Sequence, residues 1–370
     1  MRVILAAPRG FCAGVQMAVD VVDRVVQLMD GETVHVYHDI VHNTHVVSRF
    51  RDRGVVFVED VDDVPEGGVV VFSAHGISPA VRARANERGL DSIDATCPLV
   101  TKVHAEAIRY RRQGYRIAMI GHRGHQEVIG TTGEAPEVMT VVETPEEARS
   151  LDFGDVGEQG EGLAYLTQTT LSTDDAGAII AALKERFPGI KEPPGSDICY
   201  ATTNRQHAVR ELAPECDVVL VVGSETSSNS KRLTEIAANV GTPGYLMEDV
   251  EHLDESWLPR GGDSTVLLTS GASVPEDLVA GVCRGLIERF GGTLEQRELR
   301  PEDVEFALPA GLRRKMVDAG VRVPERGIQV GRAVVTEELY GAVPLTVGGG
   351  AVAGGRVDGG AVDRGAGGGS

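Results

Sequence analysis

The sequence predicts an α/β protein with parallel sheets and an approximately threefold organisation. Short apolar runs alternate with stretches of helical periodicity over most of the chain, which is the pattern of parallel strands covered by helices. Loops rich in Gly, Ser or His follow the apolar runs, and ligands of such sheets gather at these strand ends. Three cysteines that are far apart each follow the end of a predicted strand, at the point where a helix is about to begin. These observations predict three successive units whose polar loops meet at one site.

The elements can be assigned in order from the N-terminus. Arg2–Ala7 is an apolar run and is predicted to be a strand. Residues 14–29 place valines at helical spacing, which predicts a helix directly after the first cysteine. The later strand candidates are apolar runs that precede polar loops, namely 33–37, Val69–Phe72, 115–120, Leu163–Thr167, 217–222 and 266–269.

The cysteines also suggest the domain boundaries. We expect three subdomains, 1–96 with Cys12, 97–194 with Cys97 and 195–312 with Cys199. Residues 313–370 are expected to form a C-terminal extension, and truncation after about residue 313 is expected to leave folding and activity nearly intact. From residue 348 to the end, 11 of 23 residues are Gly and none is aromatic, so disorder is predicted there.

Composition and charge restrict the function classes. Five cysteines in 370 residues are too few for a disulfide framework, and Cys216 and Cys283 lie in apolar stretches typical of small core residues. No segment approaches the apolar length of a membrane span. The net charge of −19 argues against nucleic-acid binding, which needs a basic surface. We therefore expect a cytoplasmic, reduced protein that binds neither nucleic acid nor a membrane.

Cys12, Cys97 and Cys199 are the strongest candidates for metal ligands. Helix starts carry unpaired N–H groups and a positive dipole end, which favour the thiolate, the form that binds metal. None of the three belongs to a Cys-x-x-Cys pair, which disfavours a structural zinc site. Three thiolates fit a [4Fe–4S] cluster with one iron free to polarise a substrate oxygen. A catalytic zinc with three cysteine ligands and three unrelated buried thiols remain as alternatives.

The polar strand ends carry a second signal. Three histidines and a set of Ser and Asn side chains supply donors suited to an anion, although each alone is also a common helix cap. Glu127 follows one of these histidines and is the best-placed carboxylate for proton transfer. The chain has no Walker-type phosphate loop, so nucleotide hydrolysis is not supported. The anion-binding candidates are His42, His75, His125, Ser227, Ser228, Asn229 and Ser273.

A series of motifs, in order along residues 2–313, resembles the LytB/IspH family. The motifs are Arg-Gly-Phe-Cys-Ala-Gly-Val (9–15), Val-His-Asn (41–43), Phe-Ser-Ala-His-Gly (72–76), Asp-Ala-Thr-Cys-Pro-Leu-Val-Thr-Lys-Val-His (94–104), Ile-Gly-His-Arg-Gly-His (120–125), Thr-Gln-Thr-Thr-Leu-Ser (167–172), Asp-Ile-Cys-Tyr-Ala-Thr-Thr-Asn-Arg-Gln (197–206), Ser-Ser-Asn-Ser (227–230) and Gly-Ala-Ser (271–273).

The resemblance implies a fold, a cofactor and a reaction. It implies three αβα subdomains around one central [4Fe–4S] cluster per chain, with the three cysteines named above as its ligands. It implies reductive dehydroxylation of 4-hydroxy-3-methylbut-2-enyl diphosphate to isopentenyl and dimethylallyl diphosphates, the last step of the non-mevalonate isoprenoid pathway. A ferredoxin or flavodoxin would supply the electrons.

The resemblance also implies residue roles. Glu127 matches the family's proton-relay glutamate, with Thr169 and His125 beside it in the catalytic group. The diphosphate-binding residues match His42, His75, His125, Thr169, Ser227, Ser228, Asn229 and Ser273. We expect the affinity of this histidine-rich anchor to follow histidine protonation near the ordinary pKa of about 6.5.

The sequence departs from the usual family motifs at two places, and two other functions compete with the one that the resemblance implies. Gln16-Met17 and His125-Gln126-Glu127 stand where the family often has Asp-Arg and His-Pro-Glu. One alternative is a non-redox hydro-lyase that uses the same free iron, which would turn over without reductant. The other is a non-enzymatic, cluster-bearing sensor, against which the acidic charge counts.

Overall fold

The structure is a computed structural model that describes residues 1–29, 31–325, 327–329, 335–341 and 345–347. The Gly-rich segment 348–370, for which the sequence predicts disorder, lies outside these residues. Within the described ranges, no helix combines the length and the apolar character needed to cross a membrane.

Fifteen strands form the sheets of the described chain. They are β1 (Arg2–Ala7), β2 (Val34–Tyr37), β3 (Val56–Val58), β4 (Val69–Phe72), β5 (Asp91–Asp94), β6 (Arg116–Ile120), β7 (Met139–Val142), β8 (Leu163–Thr167), β9 (Val218–Val222), β10 (Gly244–Met247), β11 (Thr265–Ser270), β12 (Thr293–Glu298), β13 (Glu305–Phe306), β14 (Ile328–Gln329) and β15 (Leu345–Val347).

Twelve α-helices accompany them in the same part of the chain. They are α1 (Ala13–Leu28), α2 (Thr44–Arg51), α3 (Pro79–Glu87), α4 (Pro98–Arg112), α5 (Gln126–Glu134), α6 (Pro145–Ser150), α7 (Thr173–Arg186), α8 (Tyr200–Leu212), α9 (Ser228–Asn239), α10 (Glu276–Phe290), α11 (Ala310–Asp318) and α12 (Glu337–Tyr340).

Three parallel sheets organise these elements. Their strand orders are β3-β2-β4-β5, β7-β6-β8 and β10-β9-β11-β1-β12-β15, and the short pair β13–β14 is antiparallel. Helices cover both faces of each sheet, and successive apolar side chains of a strand point to opposite faces. In β1, Val3 and Leu5 pack on one face, and Ile4 and Ala6 pack on the other. The predicted α/β class with three αβα units is confirmed.

Strand pairing departs from the predicted subdomain boundaries at the N-terminus. β1 lies between β11 and β12 in the third sheet, with Arg2 opposite both Thr265 and Thr293. Its apolar residues are buried on both faces, as expected for a strand inside a parallel sheet. The first residues of the chain therefore share a sheet with the 195–312 segment, whereas the division at 96, 194 and 312 otherwise stays a prediction.

The segment after residue 306 returns across the molecule. Leu308, Leu312 and Met316 join the apolar cluster between α1 and the first sheet. Tyr340 is fully buried in the third unit, where its hydroxyl accepts a hydrogen bond from Arg9 and donates one to Glu276. This packing argues against the expectation that truncation after residue 313 is harmless.

A chain that ends at residue 313 should unfold at a lower temperature than the full chain. Removal of Met316 and Tyr340, both 0% exposed, uncovers two cores, and the loss of one large buried side chain typically costs about 2–5 kcal/mol. We expect a decrease in Tm of roughly 10 °C, measured by thermal unfolding. A chain that ends at residue 347 is the control and should match the full chain. Equal Tm values for all three chains would contradict the packing argument.

Candidate active site

The carboxyl ends of strands from all three sheets open into one cavity, part of which faces solvent. All twelve residues that the sequence nominates as site residues line it. They are Cys12, His42, His75, Cys97, His125, Glu127, Thr169, Cys199, Ser227, Ser228, Asn229 and Ser273. The roles assigned to these residues remain predictions, but their convergence from positions 12 to 273 is a fact of the fold.

The three cysteines occupy equivalent local positions. Cys12, Cys97 and Cys199 are the N-cap residues of α1, α4 and α8, as predicted. Cys12 and Cys97 follow β1 and β5 within a few residues. Cys199 differs from the prediction because no described strand leads into it; the preceding segment makes one isolated bridge, between Lys191 and Ala164. A helix start, rather than a strand end, is therefore the feature that the three share.

Two of the thiols approach the same glycine, Gly14. A side chain at Gly14 would place its first carbon 2.5 Å from the Cys97 sulfur and 3.9 Å from the Cys12 sulfur. Glycine is therefore required where these two sulfurs approach the start of α1. In the part of the chain described, no group of three His, Cys, Asp or Glu side chains converges tightly enough to hold a single metal ion.

The donor set at this end of the cavity fits an iron–sulfur cluster. Three thiols from three separate segments line the same cavity, and thiolates are the usual protein ligands of such clusters. All five cysteines of the chain are free, so none of the three is consumed in a disulfide.

Burial controls the protonation of these thiols. It raises the pKa of Cys12, which the nearby Arg205 opposes, and it raises the pKa of Cys97. Burial raises the pKa of Cys199 to about 11, against hydrogen bonds from Thr202. The helix start is expected to lower the thiol pKa, but desolvation outweighs that effect and raises it. Binding of metal must release the thiol protons.

The three histidines form a compact group in the same cavity. The rings of His42 and His75 stack with centroids 4.0 Å apart, and the ring of His125 lies edge-on at 5.3 Å from His42 and 5.9 Å from His75. Nδ1 of His125 accepts a hydrogen bond from the backbone N–H of Glu127, so the neutral ring carries its proton on Nε2. The Nε2 atoms of His42 and His125 are buried without a partner.

Burial keeps these rings neutral. It lowers the pKa of His42 to about 4 and that of His125 to about 3, and it holds the pKa of His75 well below its ordinary value. Positive charge on His42 or His125 would lower the pKa of His75 further, and positive charge on His42 would lower that of His125. The lowered pKa values leave the free site neutral near pH 6.5, so they do not support the expectation that anion affinity follows histidine protonation there. A neutral imidazole ring can still donate one N–H hydrogen bond.

The Ser and Asn side chains of the cavity differ in whether they already have hydrogen-bond partners within the protein. Asn229 is 4% exposed, and neither its amide nitrogen nor its amide oxygen has a partner. The hydroxyls of Ser228 and Ser273 donate to the backbone carbonyls of Thr170 and His42, and that of Ser227 caps α9. An anion that enters would meet Asn229 directly, whereas Ser228 and Ser273 must rotate to donate to it.

Glu127 is a buried residue of the same cavity. The backbone N–H of Thr169 donates to its Oε1 at 2.6 Å, and the hydroxyl of Thr169 donates to its Oε2 at 2.9 Å. Burial raises the pKa of Glu127 to about 7, and the two hydrogen bonds from Thr169 oppose the rise. The carboxyl group can thus hold or release a proton at neutral pH, which suits a general acid.

The family assignment follows from comparison with known proteins. A family model described as LytB protein matches residues 3–287. The chain belongs to the LytB family. The 4-hydroxy-3-methylbut-2-enyl diphosphate reductase of Rhodopirellula baltica is 53% identical to this LytB chain over 313 residues, which cover 85% of the chain and 96% of that relative.

Solved structures agree with the LytB fold. The E-1-hydroxy-2-methyl-but-2-enyl-4-diphosphate reductase from Plasmodium falciparum matches with a TM-score of 0.82 at 38% identity, covering 86% of this chain and 98% of its own. A structure of (E)-4-hydroxy-3-methyl-but-2-enyl diphosphate reductase, described as the terminal enzyme of the non-mevalonate pathway, matches with a TM-score of 0.55 at 30% identity, covering 78% and 99%.

Several residues at the LytB site escaped the sequence argument. The hydroxyl of Tyr200 accepts a hydrogen bond from the backbone N–H of Ala13 and so links the first turns of α8 and α1. Thr202 contacts the Cys199 sulfur through its hydroxyl at 3.2 Å and its N–H at 3.4 Å. The position three residues after an N-cap is a recognisable signal for Thr202. Phe306 also lines the cavity, but it comes from distant β13 and no local pattern indicates it.

The two departures from the usual LytB motifs leave the cavity intact. Gln16 hydrogen-bonds Asp20 within α1, and Met17 is buried in the packing of that helix. Gln126 is the first residue of α5, directly before Glu127. None of the three is among the residues that line the cavity.

Proposed function

We propose that the chain catalyses the reductive dehydroxylation of 4-hydroxy-3-methylbut-2-enyl diphosphate to isopentenyl and dimethylallyl diphosphates, at the end of the non-mevalonate pathway. Two electrons and two protons remove the allylic hydroxyl as water. One observation carries the proposal: a carboxyl group with a pKa of about 7 lies in the same cavity as three thiols and a cluster of neutral donors. The LytB relatives named above are reductases of this kind.

Cys12, Cys97 and Cys199 would hold one [4Fe–4S] cluster. When bound, such a cluster supplies electrons one at a time and a Lewis-acidic iron. The protein segments around the thiols leave all three only partly exposed to solvent. The electrons would come from a ferredoxin or flavodoxin, and the reaction would take place in the cytoplasm.

The diphosphate would bind to the neutral donors. Nε2–H of His125 and the amide group of Asn229 are buried and unpartnered, so they lose no protein contact when an anion accepts from them. The starts of α5 and α9 both lie at this end and add backbone N–H groups and favourable dipoles. Contacts to the diphosphate fix the position of the carbon chain relative to the thiols, which lowers the entropic part of the barrier.

The proton would come from Glu127. Because the backbone N–H of Thr169 must donate to Oε1, the neutral acid carries its proton on Oε2, beside the hydroxyl of Thr169. That hydroxyl lines the cavity and can pass the proton to a leaving hydroxyl group while it takes one from Glu127. The pair therefore forms a two-residue relay.

The test is an anaerobic assay with the allylic diphosphate and a chemical reductant. We expect both diphosphate products when protein, substrate and reductant are all present. Turnover without reductant would instead indicate the hydro-lyase alternative. A protein that holds a cluster but converts no substrate under reducing conditions would support the sensor alternative and contradict the proposal.

A further inference from the structure

Arg205 is the largest fully buried side chain among the described residues. It is on α8, the helix that begins at Cys199. Its Nη2 donates to the carbonyl of Gly10 at 2.7 Å, two residues before Cys12. Its Nη1 donates to the carbonyl of Ala201 at 3.0 Å and to Glu302 at 3.1 Å. The guanidinium group therefore joins the segments that carry two of the three cysteines.

The loop that Arg205 holds is itself constrained. Gly10 has a φ of +66°, a conformation that favours glycine, and its N–H donates to the hydroxyl of Ser270 at 2.8 Å. The N–H of Cys12 donates to the carbonyl of Ala272 at 3.2 Å. The N–H groups of Gly10 and Cys12 thus bind the end of β11 and the loop that follows it, while Arg205 binds the Gly10 carbonyl to α8.

Lys102 makes the corresponding connection between the other pair of cysteines. It is on α4, the helix that begins at Cys97, and its Nζ donates to Asp197 at 3.0 Å and to the carbonyl of Ser196 at 3.2 Å. Asp197, two residues before Cys199, has a fully buried side chain and also accepts the N–H of Thr167 at 3.1 Å. Each cation extends from a helix that starts at one cysteine to the segment that precedes another cysteine.

We infer that Arg205 and Lys102 are positioning residues that hold the three cysteine segments in place for the cluster. Neither side chain lines the cavity, so neither is a catalytic residue. Three ligands on three separate segments must converge before a cluster is retained, and groups that fix ligand-bearing loops affect affinity through the ligands. The inference rests on the proposed function for the presence of a cluster.

Arg205→Met and Lys102→Met test the inference on the reconstituted, anaerobic protein. We expect each variant to lose its cluster to a chelator about 10- to 100-fold faster than the unsubstituted protein does. The loss is measured by the visible absorbance of the cluster, at a temperature well below the Tm of the variant and of the unsubstituted protein. Arg205→Lys keeps the charge but cannot span the Gly10 carbonyl and Glu302 together, so its rate should be intermediate. Removal of a buried cation should also lower the reduction potential of the cluster in Arg205→Met, and Arg205→Lys should restore it.

Arg186→Met is the matched control. Arg186 also donates from its guanidinium group to two carbonyls, those of Ala148 and Leu151, and joins two helices of the second unit away from the cysteines. It should lower the Tm without a change in the rate of cluster loss. If Arg205→Met does not yield folded protein, Lys102→Met decides the matter alone, because Lys102 is partly exposed.

Two outcomes separate the inference from the proposed function. Cluster loss from Arg205→Met and Lys102→Met at the unsubstituted rate overturns the inference and leaves the proposed function in place. An unsubstituted protein that never retains a cluster overturns the proposed function, and with it the inference.

Discussion

Replacement of Glu127 by glutamine lowers kcat by about 10²–10⁴-fold, the usual contribution of a general acid, and leaves cluster content and diphosphate affinity near those of the unsubstituted protein. Glutamine has the shape of the protonated acid. Its oxygen can accept the 2.6 Å hydrogen bond from the Thr169 N–H, and its amide nitrogen can donate to the Thr169 hydroxyl. The geometry of the cavity survives, and the transferable proton is lost.

The stability of Glu127→Gln gives an independent measurement. Burial raises the pKa of Glu127 from 4.5 to about 7 in the folded protein, so between these values the folded state holds a proton that the unfolded chain has released. The contribution of Glu127 to stability is therefore full below pH 4.5 and is lost as the pH rises through about 7. Relative to the unsubstituted protein, the glutamine variant should gain roughly 2–4 kcal/mol between pH 4.5 and pH 8, measured by urea unfolding of the apo protein.

Glu134→Gln provides the control for both measurements. Glu134 is the last residue of the same helix α5, but it pairs with His104 rather than lining the cavity. Its replacement should leave kcat within a few-fold of normal. A Glu127→Gln variant with near-normal kcat would assign the proton to another donor, and an unchanged difference in stability between the two pH values would show that Glu127 ionises normally.

The site was predictable where its signals are local. Each cysteine precedes a helix and each histidine follows a strand, and these short patterns place the side chains correctly once parallel strands align their carboxyl ends. His42, His75 and His125 come together for this reason, although they belong to loops of two different sheets. The same logic placed Asn229 at the start of α9.

The remaining features depend on long-range packing, which a single sequence does not encode locally. β1 reads as a strand but gives no sign of its place between β11 and β12. In the sequence, Arg205 looks like an ordinary helical arginine. Its hydrogen bonds to Glu302 and to the Gly10 carbonyl exist only in the folded molecule. Burial also reversed the predicted direction of the thiol pKa and removed the histidine titration near pH 6.5, since desolvation is a property of the folded molecule.

Replacement of Cys12, Cys97 or Cys199 by serine should abolish both the cluster and the turnover. Each thiol is one of three protein ligands in the proposed site, so its loss leaves a cluster held by two, and the alcohol of serine is a far weaker ligand than a thiolate at neutral pH. Iron and acid-labile sulfide, measured on anaerobic protein, should fall to background in each variant. Stoichiometric zinc in the unsubstituted protein would contradict the cluster assignment.

These substitutions separate loss of the cluster from loss of the fold, because all three cysteines are helix N-caps. Serine is among the preferred N-cap residues, and its hydroxyl accepts the N–H hydrogen bond that the Cys199 sulfur accepts from Thr202 at 3.4 Å. The apo form of each variant should therefore unfold at a Tm equal to or above that of the unsubstituted apo protein.

Cys283→Ala is the matched control: Cys283 is fully buried on α10 in the core of the third unit, away from the cavity. It should lose stability through the small hole it leaves and yet retain full iron and sulfide. The opposite pattern, with cluster lost from Cys283→Ala and kept in Cys12→Ser, would show that overall stability rather than ligation determines the metal content.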